Sequence, residues 1–298
     1  MHNYTKIINA VYGSAWAIQP EKLEAILDFL RYKADDGILS EEEIEKVMAT
    51  RSVRSSRVSG QVAVIPLVGT ISQRIGMMAE SSGGISTERF ARNFDEAMAN
   101  KSVGAIVIDT DSPGGSVYGV SELSNHIYSA RGTKPIVAVS NSLMASAAYW
   151  IGSAADEIVV TPGGEVGSIG VLSVHTDISK AEEEMGIKYT IVKAGKYKAE
   201  GNPHEPLSDE ALTEYQSRVD EYYDMFVGDV ARNRGTSKNK VLNDFGQGRV
   251  VGASQAVAAG MVDRVATLDK VITDIGTVPK RSAYAMQKRF ELRSRQTG

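Results

Sequence analysis

Residues 105–116 read Ala-Ile-Val-Ile-Asp-Thr-Asp-Ser-Pro-Gly-Gly-Ser, an apolar run that passes directly into a turn. Four consecutive apolar residues, three of them β-branched, predict a strand that is buried on both faces. Pro113 stiffens the turn, and Gly114 and Gly115 allow unusual backbone dihedrals and close approach of another segment. A helix is predicted next, over residues 119–130, so the stretch forms one strand–turn–helix unit of an α/β sheet.

Similar units lie on both sides of this one. Strands are predicted at 62–65, 136–139, 158–160, 169–174 and 189–192, and helices at 87–99, 144–154 and 208–234. Because the strands are continuously apolar and are separated by helices, the sequence predicts an α/β fold with a largely parallel sheet, buried on both faces.

Four segments of different character divide the chain. They are predicted as an N-terminal helical segment (1–50), a polar and basic linker (51–60), the α/β domain (61–270) and a basic C-terminal tail (271–298). In the first segment, a helix with one apolar face begins at Pro20, and a capping-box pattern at Ser40 opens a second helix.

The composition excludes several kinds of chemistry. The chain has 298 residues and no cysteine, which removes disulfides, thiolate metal sites and a cysteine nucleophile. A net charge of −4 gives no broad field for polyanions, so nucleic acid is expected to contact only the basic tail. No signal peptide is evident, and no stretch approaches the roughly 18 apolar residues of a membrane span, so we expect a soluble intracellular protein.

The stretch from residue 144 to 150, Met-Ala-Ser-Ala-Ala-Tyr-Trp, places Ser146 among small residues at the start of a predicted helix. A serine nucleophile needs an adjacent base, together with donors aimed at the developing oxyanion. The free N–H groups and the dipole at the start of a helix can supply those donors. Taken alone, the stretch is more typical of a serine N-cap in a small-residue turn.

A base for this serine is expected to be a lysine, because none of the four histidines lies in a recognisable motif. Lys198 lies in residues 194–199, Ala-Gly-Lys-Tyr-Lys-Ala. Its pKa must fall from about 10.4 toward 7, which corresponds to roughly 4 kcal/mol. Burial among apolar groups can supply that change. The alternatives are a solvated loop lysine and a role for the neighbouring Lys196.

Two glycine-rich stretches accompany these residues. The turn at Gly114 and Gly115 could form half of an oxyanion hole, although a plain strand-to-helix turn is commoner, and the turn lacks the phosphate-binding glycine patterns. The second stretch, residues 163–170, contains Ser168. The hydroxyl of Ser168 could hydrogen-bond the lysine amine or only satisfy local backbone groups.

Taken in order, these motifs resemble the signal peptide peptidase A family of Ser–Lys proteases, whose fold is shared with the Clp protease and the crotonases. The resemblance covers residues 60–270 and rests on 111–115, 144–149, 167–171, 195–198 and 252–263. It implies a Clp protease/crotonase-like α/β fold of repeated strand-strand-helix units, with an N-terminal helical extension.

The same resemblance implies roles for individual residues. Ser146 falls on the nucleophile and Lys198 on the general base, with Ser168 orienting the lysine. The backbone N–H groups of Gly115 and Ala147 fall on the oxyanion donors, with Gly114 in support. The sequence departs from the family where Ala147 and Ala148 replace Gly-Gly, but alanine still supplies the N–H group.

Residues 199–203, Ala-Glu-Gly-Asn-Pro, are similar to the lysine loop of phage head maturation proteases, and the lack of a membrane anchor also fits that subgroup. This implies a homo-oligomeric enzyme of the procapsid interior or host cytoplasm, without metal or cofactor, which cuts scaffold, portal or capsid proteins or itself. The alternatives are a bacterial cytoplasmic signal-peptide-peptidase-like protease, a crotonase-like acyl-CoA enzyme, and a non-enzymatic assembly protein that uses the tail and the N-terminal helices.

Overall fold

The computed structural model describes residue 11 and residues 14–34, 55–74 and 84–276. The predicted second helix from Ser40, part of the predicted linker and the tail from Lys280 lie outside the described residues.

The secondary-structure elements alternate along most of the described chain. The strands are β1 (Trp16–Ile18), β2 (Arg57–Ser59), β3 (Val62–Val68), β4 (Ile71–Ser72), β5 (Ile85–Ser86), β6 (Ala105–Ser112), β7 (Gly114–Ser116), β8 (Ile136–Ala145), β9 (Glu157–Val160), β10 (Glu165–Gly167), β11 (Val250–Gly252) and β12 (Arg264–Val265). The helices are α1 (Pro20–Ala34), α2 (Thr87–Ala99), α3 (Val120–Ser129), α4 (Ala147–Gly152), α5 (Ser179–Glu184), α6 (Asp209–Arg234), α7 (Lys238–Asp244), α8 (Ala253–Ala259) and α9 (Leu268–Gly276).

The larger of two sheets has the strand order β11-β10-β8-β6-β3-β2, and β9 joins β8 to β12. Strands β3, β6, β8, β9 and β10 pair in parallel, whereas β2 and β11 pair antiparallel at the two edges. In β6, Ile106 and Ile108 face one hydrophobic core and Val107 faces a second core on the other side. These pairings and the two cores confirm the predicted α/β class and the largely parallel sheet buried on both faces.

Capping groups fix the ends of the long helices. The Ser208 hydroxyl accepts a hydrogen bond from the N–H of Ala211 at the start of α6, and Gly235 ends that helix with a φ of 62°. The Ser86 hydroxyl caps α2 in the same way. In α1, Leu23, Leu27 and other apolar residues face inward, which confirms the predicted apolar stripe.

Two predicted strands are wrong. Residues 169–174 leave the sheet because Gly167 and Ser168 both have positive φ angles, 120° and 53°, which turn the chain away from the ladder of β10. Residues 189–192 form no strand, since all four are exposed and nothing in the described chain pairs with them.

Other boundaries also differ from the predictions. The helix predicted over residues 144–154 is shorter, because β8 continues to Ala145 before α4 begins. The packed part of the chain continues past residue 270, since Val271 and Ile275 of α9 are buried against the large sheet. No helix in the described ranges has both the length and the apolar character required to cross a bilayer.

A buried ion pair joins α6 to the end of the sheet. The guanidinium of Arg234 donates to both carboxylate oxygens of Asp263, at 3.0 and 3.1 Å, and both side chains are nearly inaccessible. The same carboxylate accepts the N–H of Ile158 in β9 at 2.8 Å. Asp263 therefore links the C-terminal end of α6 to a central strand.

Replacing Arg234 with alanine removes the guanidinium that donates to both oxygens of the buried Asp263 carboxylate. We expect the free energy of unfolding to fall by about 3–5 kcal/mol in urea denaturation at neutral pH. Arg74→Ala is the control, because Arg74 pairs with Glu88 on the surface and its loss should change stability little. An equal effect of the two substitutions would contradict the role given to Arg234.

Candidate active site

The glycine turn and Ser146 meet at one edge of the large sheet. Strands β6 and β8 are parallel neighbours, and Ser112 at the end of β6 is paired with Met144 near the end of β8. Both chains therefore leave the sheet side by side at their carboxyl ends, where open α/β sheets bind ligands. A methyl group built on Gly114 would lie 2.9 Å from Ser146 Cβ and 3.1 Å from the Ala147 nitrogen.

Ser146 has a strained backbone. Its φ is 55° and its ψ is −119°, in a region that residues with a side chain rarely adopt. Its N–H donates to the carbonyl of Gly167 at 2.7 Å, and its carbonyl accepts from the N–H of Trp150 at 2.9 Å. Such conformations persist where the surroundings over-determine them, which is a property of functional sites.

The hydroxyl of Ser146 is fully buried, and its hydrogen bond, to the carbonyl of Gly170, is long at 3.4 Å. Helix α4 begins at the next residue, Ala147. The first N–H groups of a helix have no partner within the helix, so the N–H of Ala147 is available to an oxyanion beside Ser146.

Buried contacts hold α4 in place beneath the serine. The Trp150 ring stacks on Phe226 of α6 with 4.5 Å between centroids, and its Nε1 donates to Asp229 at 2.8 Å. The Tyr149 hydroxyl donates to the carbonyl of Met261 at 2.8 Å, and burial raises the pKa of Tyr149, so it remains a donor. The short helix is therefore anchored by both of its aromatic side chains.

The structure brings three of the predicted supporting residues close to Ser146. Gly114 has a φ of 100° and leaves no room for a methyl group beside Ser146, and Ala147 follows Ser146 in the chain. Ser168 is buried and follows Gly167, the residue whose carbonyl holds the Ser146 N–H. Gly115 is paired with Ile71 of β4, and a methyl group there would lie 1.9 Å from the Ile71 carbonyl oxygen.

Lys198 is not brought to the serine in the single chain. Its side chain is exposed, in a turn where its N–H donates to the carbonyl of Gly195. The Ser146 hydroxyl hydrogen-bonds Gly170 instead of the lysine. An exposed ammonium lacks the burial that the predicted general base requires.

Lys196, the alternative lysine, is engaged elsewhere. Its Nζ donates to Glu210 at 2.7 Å and to the Tyr197 hydroxyl at 2.8 Å. These hydrogen bonds, the one to Glu210 first, raise the pKa of Lys196. Lys196 therefore stays protonated at neutral pH and is unsuited to accept a proton from serine.

Lys198 belongs to residues 175–207, which contain the short helix α5 and are otherwise irregular, and which we call the lysine segment. A few polar contacts order it locally: Glu182 binds His204 at 2.8 Å, and the Tyr189 ring stacks on the His204 ring. Several large apolar side chains are exposed on its surface among charged ones, with Val192 94% exposed. The other large apolar side chains exposed there are Ile178, Met185, Ile187, Tyr189, Ile191 and Tyr197. Apolar surface of this kind is typical of contact sites.

A cavity of about 430 Å³ lies beside Gly170, between the chain that follows Ser168 and helix α6. Its walls include Val171, Val219, Tyr223 and Leu242. One residue of the cavity wall contacts the nucleophile, because the Gly170 carbonyl accepts the Ser146 hydroxyl. Nowhere in the described ranges do three or more metal-ligating side chains cluster.

Strand β1 is a feature of the site that the sequence analysis missed. It belongs to the smaller sheet, of order β1-β7-β4-β5, and lies antiparallel to β7, which contains the glycine turn. Residues 1–50 had been predicted as helical. The apolar triplet Trp16–Ile18 just before Pro20 is the one local signal for this strand.

Known proteins resemble the chain in sequence. The family model described as Peptidase family S49 matches residues 129–278. Capsid assembly protease C of Escherichia phage lambda is 31% identical over 223 residues, which cover 75% of this chain and 50% of that protein. Head-tail preconnector protein GP5 of Enterobacteria phage P21 is 30% identical over 241 residues, or 81% and 48% of the two chains. The chain therefore spans about half the length of these curated relatives.

Among solved structures, the 1510-N membrane protease of Pyrococcus horikoshii, described as specific for a stomatin homolog, shares 15% identity. The match has a TM-score of 0.43 and covers 73% of this chain and 79% of that one. A likeness at this level bears on neither activity nor substrate.

Gly167→Ala tests the support of the serine turn. Gly167 has a φ of 120°, and a methyl group there would lie 2.7 Å from the Arg249 carbonyl oxygen. We expect a loss of about 1–3 kcal/mol in urea denaturation, because the residue must strain or shift the turn that holds Ser146. We also expect slower acylation of Ser146 by a fluorophosphonate.

Gly163→Ala is the matched control, since nothing lies within 4 Å of a methyl group at Gly163. It should leave stability and acylation unchanged. Equal behaviour of the two variants would show that the Gly167 turn does not support Ser146.

Proposed function

The chain belongs to peptidase family S49, and on that premise we propose that it is a serine endopeptidase with a Ser146–Lys198 dyad. The observation that supports this most is the setting of Ser146. Its buried hydroxyl stands on a strained turn, against Gly114 and the nitrogen of Ala147. A strained strand-to-helix turn presents nucleophilic serines in other hydrolases as well.

In the proposed reaction, the Ser146 oxygen attacks the carbonyl carbon of the scissile peptide while the neutral amine of Lys198 takes the hydroxyl proton. The N–H of Ala147 and one from the glycine turn stabilise the oxyanion. Gly115 is the predicted second donor, with Gly114 in support. Lys198 then returns the proton to the leaving amine, and a water molecule hydrolyses the acyl-enzyme.

The lysine amine must become buried for this chemistry, because removal from water favours the neutral form of an amine. We propose that a homo-oligomer provides that burial, with the lysine segment covered by another copy of the chain. The exposed apolar side chains of the segment, such as Val192 and Tyr189, supply the contact surface. Ser168, buried beside Gly167, is the residue proposed to orient the amine.

Phage structural proteins are the proposed substrates. The similarity to a capsid assembly protease and to a head-tail preconnector protein supports cleavage of scaffold, portal or capsid proteins, or of the chain itself. The proposed place of action is the procapsid interior or the host cytoplasm. No metal or cofactor takes part in the proposed steps.

Ser146→Ala and Lys198→Ala should each lower cleavage by roughly 10³-fold or more, since each removes a group that acts in every turnover. Lys198→Arg should be equally inactive, because a guanidinium keeps its proton. The assay incubates each variant with the co-encoded scaffold, portal and capsid proteins and identifies the products by mass spectrometry.

Lys196→Ala is the matched control for Lys198. It removes a neighbouring lysine that is bound to Glu210, so it should retain most of the activity. Circular dichroism should show the same fold for all variants. Full proteolysis by a folded Ser146→Ala or Lys198→Ala protein would refute the dyad.

Mixing two inactive variants tests whether the lysine acts between copies. If Lys198 serves the Ser146 of a neighbour, equal amounts of Ser146→Ala and Lys198→Ala should regain about one quarter of wild-type activity, since random assembly pairs that share of intact serines with intact lysines. Analytical ultracentrifugation should show that the variants form the same assembly. Mixed assemblies without any recovered activity would place both groups of the dyad in one chain.

A further inference from the structure

Strand β1 lies in a groove beside the nucleophile and is hydrogen-bonded on both edges. On one edge its three residues pair antiparallel with residues 114–116 of the glycine turn. On the other edge, the N–H of Trp16 donates to the carbonyl of Leu172 at 2.8 Å, and the N–H of Leu172 donates back at 2.9 Å. The groove therefore accepts an extended peptide as an added strand, which is a general mode of peptide binding.

The carbonyl of Ala17 lies at the reacting end of this groove. A methyl group built on Gly114 would lie 2.2 Å from the Ala17 oxygen, 2.9 Å from Ser146 Cβ and 3.1 Å from the Ala147 nitrogen. The carbonyl, the nucleophile and the expected oxyanion donor thus surround one point. An extended substrate would place its scissile carbonyl in the same surroundings.

The side chains of this stretch alternate between two environments. Ala15 and Ala17 belong to the main core, which also contains Ala147. Trp16 and Ile18 pack outward against the apolar face of α1, in a separate cluster. The side of β1 that faces the site therefore carries only methyl groups, whereas its outer side is anchored by large residues.

A substrate cannot reach the serine while β1 is in place. Ser146 and Ala17 are both fully buried. Beyond the strand, the N–H of Gln19 donates to the carbonyl of Pro113 at 3.0 Å, and the N–H of Val117 donates to the carbonyl of Ala15 at 3.4 Å. These contacts extend the cover over the glycine turn on both sides of Ala17.

We propose that residues 15–18 form an inhibitory segment that occupies the peptide-binding groove in the register of a substrate. Substrates place a small residue where Ala17 lies and pair with residues 114–116 and Leu172. The inference rests on the proposed protease function, because it assigns the groove of that same site. Activity is then limited by the fraction of molecules in which β1 has left the groove.

The test uses Ala17→Arg in the full chain. Because Ala17 is fully buried, an arginine cannot fit and should expel β1 from the groove. We expect kcat/KM for a short peptide with alanine on the acyl side of the scissile bond to rise by about tenfold or more, as the competent fraction rises. Glu24→Arg is the matched control, because it introduces the same side chain at an exposed position of α1 and should leave kcat/KM unchanged.

A binding experiment separates this inference from the protease function. In Ser146→Ala protein, a fluorescein-labelled peptide with the sequence of residues 14–19 should bind, by anisotropy, only when Ala17→Arg is also present. Binding without cleavage by any variant would overturn the protease function and keep the groove assignment. Equal kcat/KM for wild type and Ala17→Arg, with no peptide binding, would overturn the inference.

Trp16→Ala is the second test variant, to be used if Ala17→Arg fails to fold. The Trp16 indole donates to the carbonyl of Val11 at 3.0 Å and anchors β1 on its outer side, away from the serine. Its loss should also raise kcat/KM, by a smaller factor than Ala17→Arg, whereas a decrease in a folded protein would count against the inhibitory role.

Self-cleavage between Ala17 and Ile18, detected by mass spectrometry and absent in Ser146→Ala, would support the proposed register.

Discussion

The left-handed backbone of Ser146 is the constraint on which the site depends. Strand β8 leads into this residue and α4 leaves from it, so the turn ends one element and begins the next. A non-glycine residue in such a conformation costs about 1–3 kcal/mol. Hydrogen bonds to Gly167 and from Trp150 hold the turn, and the buried anchoring of α4 supplies the rigidity that keeps it. Local strain at the serine is therefore offset by packing elsewhere in the fold.

The elements that depend only on neighbouring residues could be predicted from the sequence, because the residues that cause them lie within the pattern itself. The apolar run before Pro113 and the small residues around Ser146 define a strand, a turn and a helix start within a few positions. The lysine segment is different, since residues 189–192 have a strand-like pattern but no partner in the described chain. Pairing is a non-local property, so pattern alone overestimates strands there.

Strand β1 shows the opposite failure, a strand that pattern alone underestimates. Three residues are too few for a periodic signal, and the strand exists because residues 114–116 and Leu172 provide partners on both edges. The ability of Lys198 to act as a base likewise depends on residues that are distant in sequence. Its sequence neighbours cannot show whether its amine is dry or solvated, because burial of the amine depends on whatever packs over the lysine segment.

In the single chain the Ser146 hydroxyl is too buried to meet a substrate, and the Lys198 side chain is too exposed to act as a base. These two conditions are physically connected. Leu172 pairs with Trp16, and Val174 packs with the cluster that anchors β1 to α1. The lysine segment begins at the next residue. The segment that must bury Lys198 is thus joined through Leu172 to the strand that covers Ser146. The cover over the serine and the position of the base are therefore linked through one short stretch of chain, and expelling β1 raises activity in an assembly that also buries Lys198.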